Sequence, residues 1–232
     1  HESIFNRNDG RYRCPSTQQG YSPFSTWTRG LAWVMVGYPE QLEYLATVSD
    51  EELEPLGGRW EIESLMLETA RAACDFYIEN MPVDGIPYWD TGAPGLVHLR
   101  GYLENPADPD NDYEPVDSSA AAIACQGLMR LGRLLQARDE DNAGKRYFQA
   151  GLTTLARLLE EPYLSTDSEH QGLLLNTIYH RPRGWDYIPP GAKTPRGEAC
   201  MWGDYHLLEA ALYFQRLVRE ECYYSFFGPN DS

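Results

Sequence analysis

The sequence predicts an all-α fold, a toroid of helical hairpins, on three observations. Five segments place apolar residues at the 3.6-residue period of a helix. Short links between helices alternate with two long connections, 81–116 and 161–199, rich in Gly, Pro, Asp and aromatic residues. No repeat of fixed period is visible, which argues against a solenoid of identical units. A closed (α/α)6 barrel is built from about twelve helices, so five make an incomplete ring. The expectation is one all-α domain over 1–232, the C-terminal part of a larger toroid whose other helices precede His1.

The elements follow in order. The first helix is expected over 28–46, with Trp33, Val36, Leu42 and Leu45 apolar and a break near Gly37-Tyr-Pro39, because proline cannot donate inside a helix. The second, 60–79, shows Ile62, Leu65, Met66, Thr69, Ala73, Phe76 and Tyr77 along one face. The third starts at Asp117-Ser-Ser and runs to about 137; its stripe is Ile123, Leu128, Leu131, Leu134 and Leu135, and Asp117 is suited to cap it. The fourth, about 142–160, carries Phe148, Leu152, Leu155 and Leu159. The fifth, about 202–220, carries Leu208, Ala211, Leu212, Gln215 and Val218. Connections of about 35 residues far exceed the usual ~4–6 and tend to be functional.

Composition narrows the function. The 232 residues are 42% hydrophobic, enough for a real core, and include 6 tryptophans and 16 tyrosines, which suits a protein presenting rings to a ligand. A net charge of −16 argues against nucleic acid or an anionic membrane as partner. An anionic ligand therefore needs a local reversal of charge, for which Arg7, Arg11, Arg13 and Arg29, and the pair Arg181 and Arg183, are candidates. Cysteines 14, 74, 125, 200 and 222 are odd in number and lack C-x-x-C spacing, so neither a zinc site nor a disulfide framework is indicated. No metal or other cofactor is expected. No apolar run approaches the ~18 residues of a membrane span. The chain opens at His1 without an initiator methionine, so localisation, cytoplasmic or periplasmic, is not readable.

One stretch points to a ligand. Ser25-Thr-Trp-Thr-Arg-Gly-Leu-Ala-Trp33, preceded by Gln19-Gly20, sets an arginine between two tryptophans. Trp27, Arg29 and Trp33 cannot share one helical face, so a loop running into a helix start is expected, with Trp27 and Arg29 at the mouth and Trp33 a turn further in. Aromatic faces stack on sugar rings, and a guanidinium fork matches a carboxylate. Together they suggest a small anionic ring such as a uronic acid. The bland alternative is two core tryptophans and a surface arginine.

With these segments in hand, the chain resembles the unsaturated glucuronyl hydrolases, glycoside hydrolase family 88. The resemblance rests on Thr26-Trp-Thr-Arg-Gly-Leu-Ala-Trp33, Asp84-Gly-Ile-Pro-Tyr-Trp-Asp90, Asp117-Ser-Ser-Ala-Ala-Ala-Ile123, Tyr179-His180 and Trp202-Gly-Asp-Tyr205, in the family's order. It implies an (α/α)6 barrel that removes a terminal uronic acid with a C4=C5 double bond from lyase-generated oligosaccharides, by hydrating a vinyl ether. It implies as partners an unsaturated uronic-acid oligosaccharide and the missing N-terminal half of the barrel. The family's two essential aspartates fall before His1, so no catalytic residue is transferred to this chain; Asp90, Asp117 and Asp204 remain weak candidates. Asp117 reads better as a helix cap and Asp204 as a carboxylate at a helix start.

The resemblance carries substrate-binding roles onto His1, Gln19, Gly20, Trp27, Arg29, Trp33 and Tyr179. His1 rests on spacing alone, and Gln19 is preferred to Gln18 because Gly20 follows. Unsaturated rhamnogalacturonyl hydrolases share barrel and mechanism and are the nearby alternative. A non-catalytic carbohydrate-binding fragment and a protein-binding helical scaffold are the alternatives of other classes.

Overall fold

The computed structural model describes residues 2–222 and, beyond them, 224, 225, 228 and 229. Five long helices lie close to their expected bounds: α1 (Thr28–Leu45), α3 (Arg59–Asn80), α4 (Ser118–Gln136), α5 (Asp141–Leu158) and α6 (Met201–Val218). A one-turn α2 (Asp50–Leu53) sits between the first two, held by a capping box between Ser49 and Glu52. An antiparallel hairpin of β1 (Glu2–Phe5) and β2 (Tyr12–Ser16) precedes α1. The sequence reading contained no strand. The hairpin is exposed along β1 and most of β2, so no buried face imposes a two-residue apolar period on it.

Helix α4 is the hub. It packs against α1, α5 and α6, while α3 packs on α1. Residues 118–132 are buried without interruption. Such a helix is apolar or internally paired all round. Ala121, Ala122, Cys125 and Met129 join a core with α5, α6 and the long loops; Ala120, Ile123, Ala124, Leu128, Leu131 and Leu135 join a second core with α1 and α3. Burial raises the Cys125 thiol to about 12, in keeping with a small buried hydrophobe.

The expected break in α1 does not occur. The helix runs through Pro39, which is buried, and α4 lies so close that a Cβ on Gly127 would collide with the Met35 carbonyl. That carbonyl is the group Pro39 cannot satisfy as a helical donor. The local breaker thus lies inside a continuous helix whose neighbouring turn is packed on α4.

Three stripes are also displaced. On α3 the buried residues are Ala70, Ala73, Cys74 and Tyr77, while Leu65 and Phe76 are exposed. On α5 the buried line is Gly144, Tyr147, Gly151, Thr154, Leu155 and Leu158, and Leu159 is exposed. On α6 it is Gly203, Leu207, Ala210 and Tyr213; Leu208, Leu212 and Val218 face outward. The reason is common to all three. Close helix contacts select small residues, and each helix carries a second apolar face that periodicity alone cannot rank.

The two long connections meet at the N-terminal ends of α1, α4 and α6. Thr28 N donates to Trp89 O, Asp117 N to Pro87 O, and Ser118 N to Asn176 O. Lys193–Asp112, Arg196–Asp110 and the Thr194 hydroxyl on Asn111 O tie one connection to the other. Among the described residues, no helix is long and apolar enough to cross a membrane.

Candidate functional site

Trp27 is the N-cap of α1, in extended conformation, and its ring folds over Gly30, where a Cβ would lie 2.5 Å from the indole. Arg29, two residues on, is only 3% exposed. Its Nη1 faces Asp117 Oδ2 at 3.0 Å, Ser119 Oγ at 3.3 Å and the Ile178 carbonyl. Its Nη2 donates to Gln19 Oε1 at 3.2 Å and the Tyr179 carbonyl at 2.8 Å. The guanidinium lies 5.1 Å from the Trp27 ring centroid and 5.0 Å from that of Trp202. Its terminal nitrogens are thus taken up by the protein, and Arg29 acts as a tie among α1, α4, the 178–179 loop and Gln19.

Asp117 answers it from the start of α4. It is fully buried, and Oδ1 accepts from Ser119 N at 3.1 Å, Ala120 N at 3.3 Å and Ser119 Oγ at 2.5 Å. It caps α4 and neutralises Arg29 with the same carboxylate. Ser119 Oγ also accepts from Trp202 Nε1 at 3.1 Å, which brings in the start of α6. The N-terminal ends of three helices, α1, α4 and α6, are therefore joined through Arg29, Ser119 and Trp202.

Aromatic rings extend the cluster outward. Tyr179 stacks between Trp202, at 5.3 Å, and Trp185, at 5.7 Å. Gly20 packs on Asp90, with room for no side chain beyond hydrogen between Thr17 and Trp27. The structure thus brings Gln19, Gly20, Trp27, Arg29 and Tyr179 together. Trp33 lies further along α1, 39% exposed, with its ring 5.1 Å from His206 and edge-on to it. Gln18 is exposed, and His1 lies outside the described residues.

The three aspartate candidates all accept hydrogen bonds from backbone N–H groups. Asp90 is buried, with Oδ2 accepting from Tyr21 N and Oδ1 from Gly92 N, both at 2.8 Å. Asp204 accepts from Leu173 N and Leu174 N. With Asp117 as the α4 cap, each carboxylate holds backbone N–H groups in place.

Trp202, Trp185 and His206 escaped the list of binding candidates. Trp202 had a signal, since it opens the Trp202-Gly-Asp-Tyr205 stretch at a helix start. Trp185 had none beyond its place in a long loop. His206 is visible only in three dimensions, where Trp33 and Tyr205 flank it and burial lowers its basicity.

No family model matches the chain. The unsaturated glucuronyl hydrolase of Bacillus sp. (strain GL1) is 30% identical over 218 residues, covering 94% of this chain and 47% of the relative. The crystal structure of the Bacillus sp. GL1 enzyme, described as responsible for the degradation of glycosaminoglycan, superposes with a TM-score of 0.64 at 29% identity, over 93% of this chain and 46% of that one. A variant of the Streptococcus agalactiae unsaturated glucuronyl hydrolase, complexed with dGlcA-GalNAc6S, matches in fold with a TM-score of 0.57 at 24% identity, over 90% of this chain and 45% of that one. These structures are α/α barrels. The chain spans about half the length of the relatives it matches.

Proposed function

We infer that this chain, a homologue of the unsaturated glucuronyl hydrolases over nine-tenths of its length, supplies the sugar-holding part of an α/α-barrel hydrolase. Its substrate is an oligosaccharide ending in a C4=C5 unsaturated uronic acid. The observation that carries the reading is the convergence of Gln19, Trp27, Arg29 and Tyr179 on the joined starts of α1, α4 and α6.

Each residue has a task in that reaction. Arg29 positions Gln19, Trp27 and the Tyr179 loop instead of gripping the ligand with its own fork. Gln19 hydrogen-bonds the sugar, and Trp27 and Trp33 offer apolar ring surface. A carboxylic acid then protonates C4, water adds at C5, and the resulting hemiketal collapses to release an open-chain keto acid. The proton donor comes from aspartates outside these 232 residues, a reading supported by the structural commitment of Asp90, Asp117 and Asp204.

The same commitment favours a second reading, a carbohydrate-binding fragment without chemistry of its own. The test follows the ultraviolet absorbance of the double bond with an unsaturated uronyl disaccharide, alongside calorimetric binding. Binding without loss of absorbance supports the sugar-holding role. Loss of absorbance with the chain alone overturns the assignment of the acid to other residues. Absence of binding sinks the sugar-holding role itself.

A further inference from the structure

Further along the same three helices lies a second buried polar group. Arg130 of α4 is 3% exposed; its Nη1 donates to Glu43 Oε2 at 2.6 Å, and its Nε lies 3.6 Å from Glu40 Oε1. Both glutamates belong to α1. From α6, the Tyr213 ring covers the guanidinium at 4.9 Å, and Glu209 adds a third carboxylate. Glu209 lies 3.5 Å from His206 Nδ1, which also meets Gln126 Oε1 of α4 at 2.9 Å. His206 in turn is flanked by Trp33 and Tyr205.

The charges do not balance. Among the described residues, Glu40, Glu43 and Glu209 face one arginine, and burial favours the neutral form of His206. With every carboxyl ionised, these described groups carry two excess negative charges around a buried Arg130, with Glu43 buried and Glu209 partly exposed, and like charges at short range repel. Glu40 and Glu43 stand on one wall and Glu209 on the other, so the repulsion acts between α1 and α6.

We propose that this junction is a proton-operated clamp: a proton on Glu40 lets α1 and α6 close on Arg130, and its loss pushes α6 away and loosens the Trp33–His206 contact. The lever is short. Trp33 precedes Glu40 by two helical turns on the same face, roughly 10 Å along the axis, and His206 is one turn from Glu209.

Burial, reinforced by Glu209 and Glu43 and opposed by Arg130, raises the Glu40 carboxyl to about 7. The unfolded chain ionises Glu40 near 4.5. The folded state therefore keeps a proton that the unfolded state has lost between those values. The resulting stability is complete below about 4.5 and falls away as pH rises through about 7.

The experiment is carboxyl-carbon NMR of the glutamates in the full chain from pH 4 to 9, with the indole N–H signal of Trp33 followed alongside. The expected result is one glutamate with a midpoint near 7, absent in Glu40→Gln and shifted down in Glu209→Gln. The Trp33 signal should move with the same midpoint in the wild type and in the exposed control Glu51→Gln, and stay flat in Glu40→Gln. Glutamates that all titrate in the ordinary carboxylate range overturn the proposal. So does a Trp33 signal that is flat in the wild type or unchanged by Glu40→Gln. Should Glu40→Gln fail to fold, Glu209→Gln decides: a midpoint it leaves unmoved overturns the clamp.

Discussion

At Arg29 a buried cation meets acceptors from three parts of the chain, the start of α4, the 178–179 loop and Gln19, and the Asp117 carboxylate supplies the opposite charge. Removing one member of such a pair strands the other without water. Asp117→Ala should therefore lower stability by about 3–5 kcal/mol, read from urea unfolding, with loss of the α4 cap included. Arg29→Lys should also destabilise, because an ammonium cannot reach acceptors spread over a planar fork. A lysine variant as stable as the wild type would remove the tie from the account. Trp27→Ala is the binding test. If ring stacking on a sugar resembles stacking on a base, affinity for an unsaturated uronyl disaccharide should fall by about 1–3 kcal/mol, read by calorimetry. The spacing Trp27-x-Arg29-x3-Trp33 marked these residues without their partners: Asp117 lies 88 residues from Arg29, and no local pattern joins them.

At the scale of elements, five helix spans were legible because the apolar period marks each of them, the two long loops bound several ends, and Asp117 caps α4. The faces were less legible. Periodicity ranks large aliphatic residues above alanine and glycine, whereas α4 meets its neighbours through Gly127, Gly132 and its alanines. Gly127→Val should therefore cost about 1–3 kcal/mol or force α1 away from α4, seen as a lowered melting temperature. A valine accepted without loss would mean that the α1–α4 approach is slacker than described. Pro39 belongs to the same lesson. The helix continues through its ring, and α4 packs against the turn that loses its donor.

For the whole molecule, the outward row Met201, Tyr205, Leu208 and Leu212 on α6, all exposed, is the feature with the plainest consequence in solution. Apolar patches of this kind drive association. Replacing Leu208 and Leu212 together with lysine should reduce concentration-dependent association in sedimentation velocity and leave the helical circular dichroism unchanged. Association that persists in the double variant would clear this face.

The sequence by itself determined the all-α class and the five long helices, and it marked the stretch 19–33 as a candidate ligand site. Those features depend on residues within a few turns of one another, where period, capping and side-chain chemistry are local. Only the tertiary structure decided which face each helix buries, that Pro39 lies inside α1, and that Arg29 is a tie satisfied by the protein. It also decided that Asp90, Asp117 and Asp204 hold backbone in place, and that three carboxylates gather on Arg130. Each of these depends on groups tens of residues apart coming within hydrogen-bond or van der Waals range, which burial and close packing settle and spacing along the chain does not.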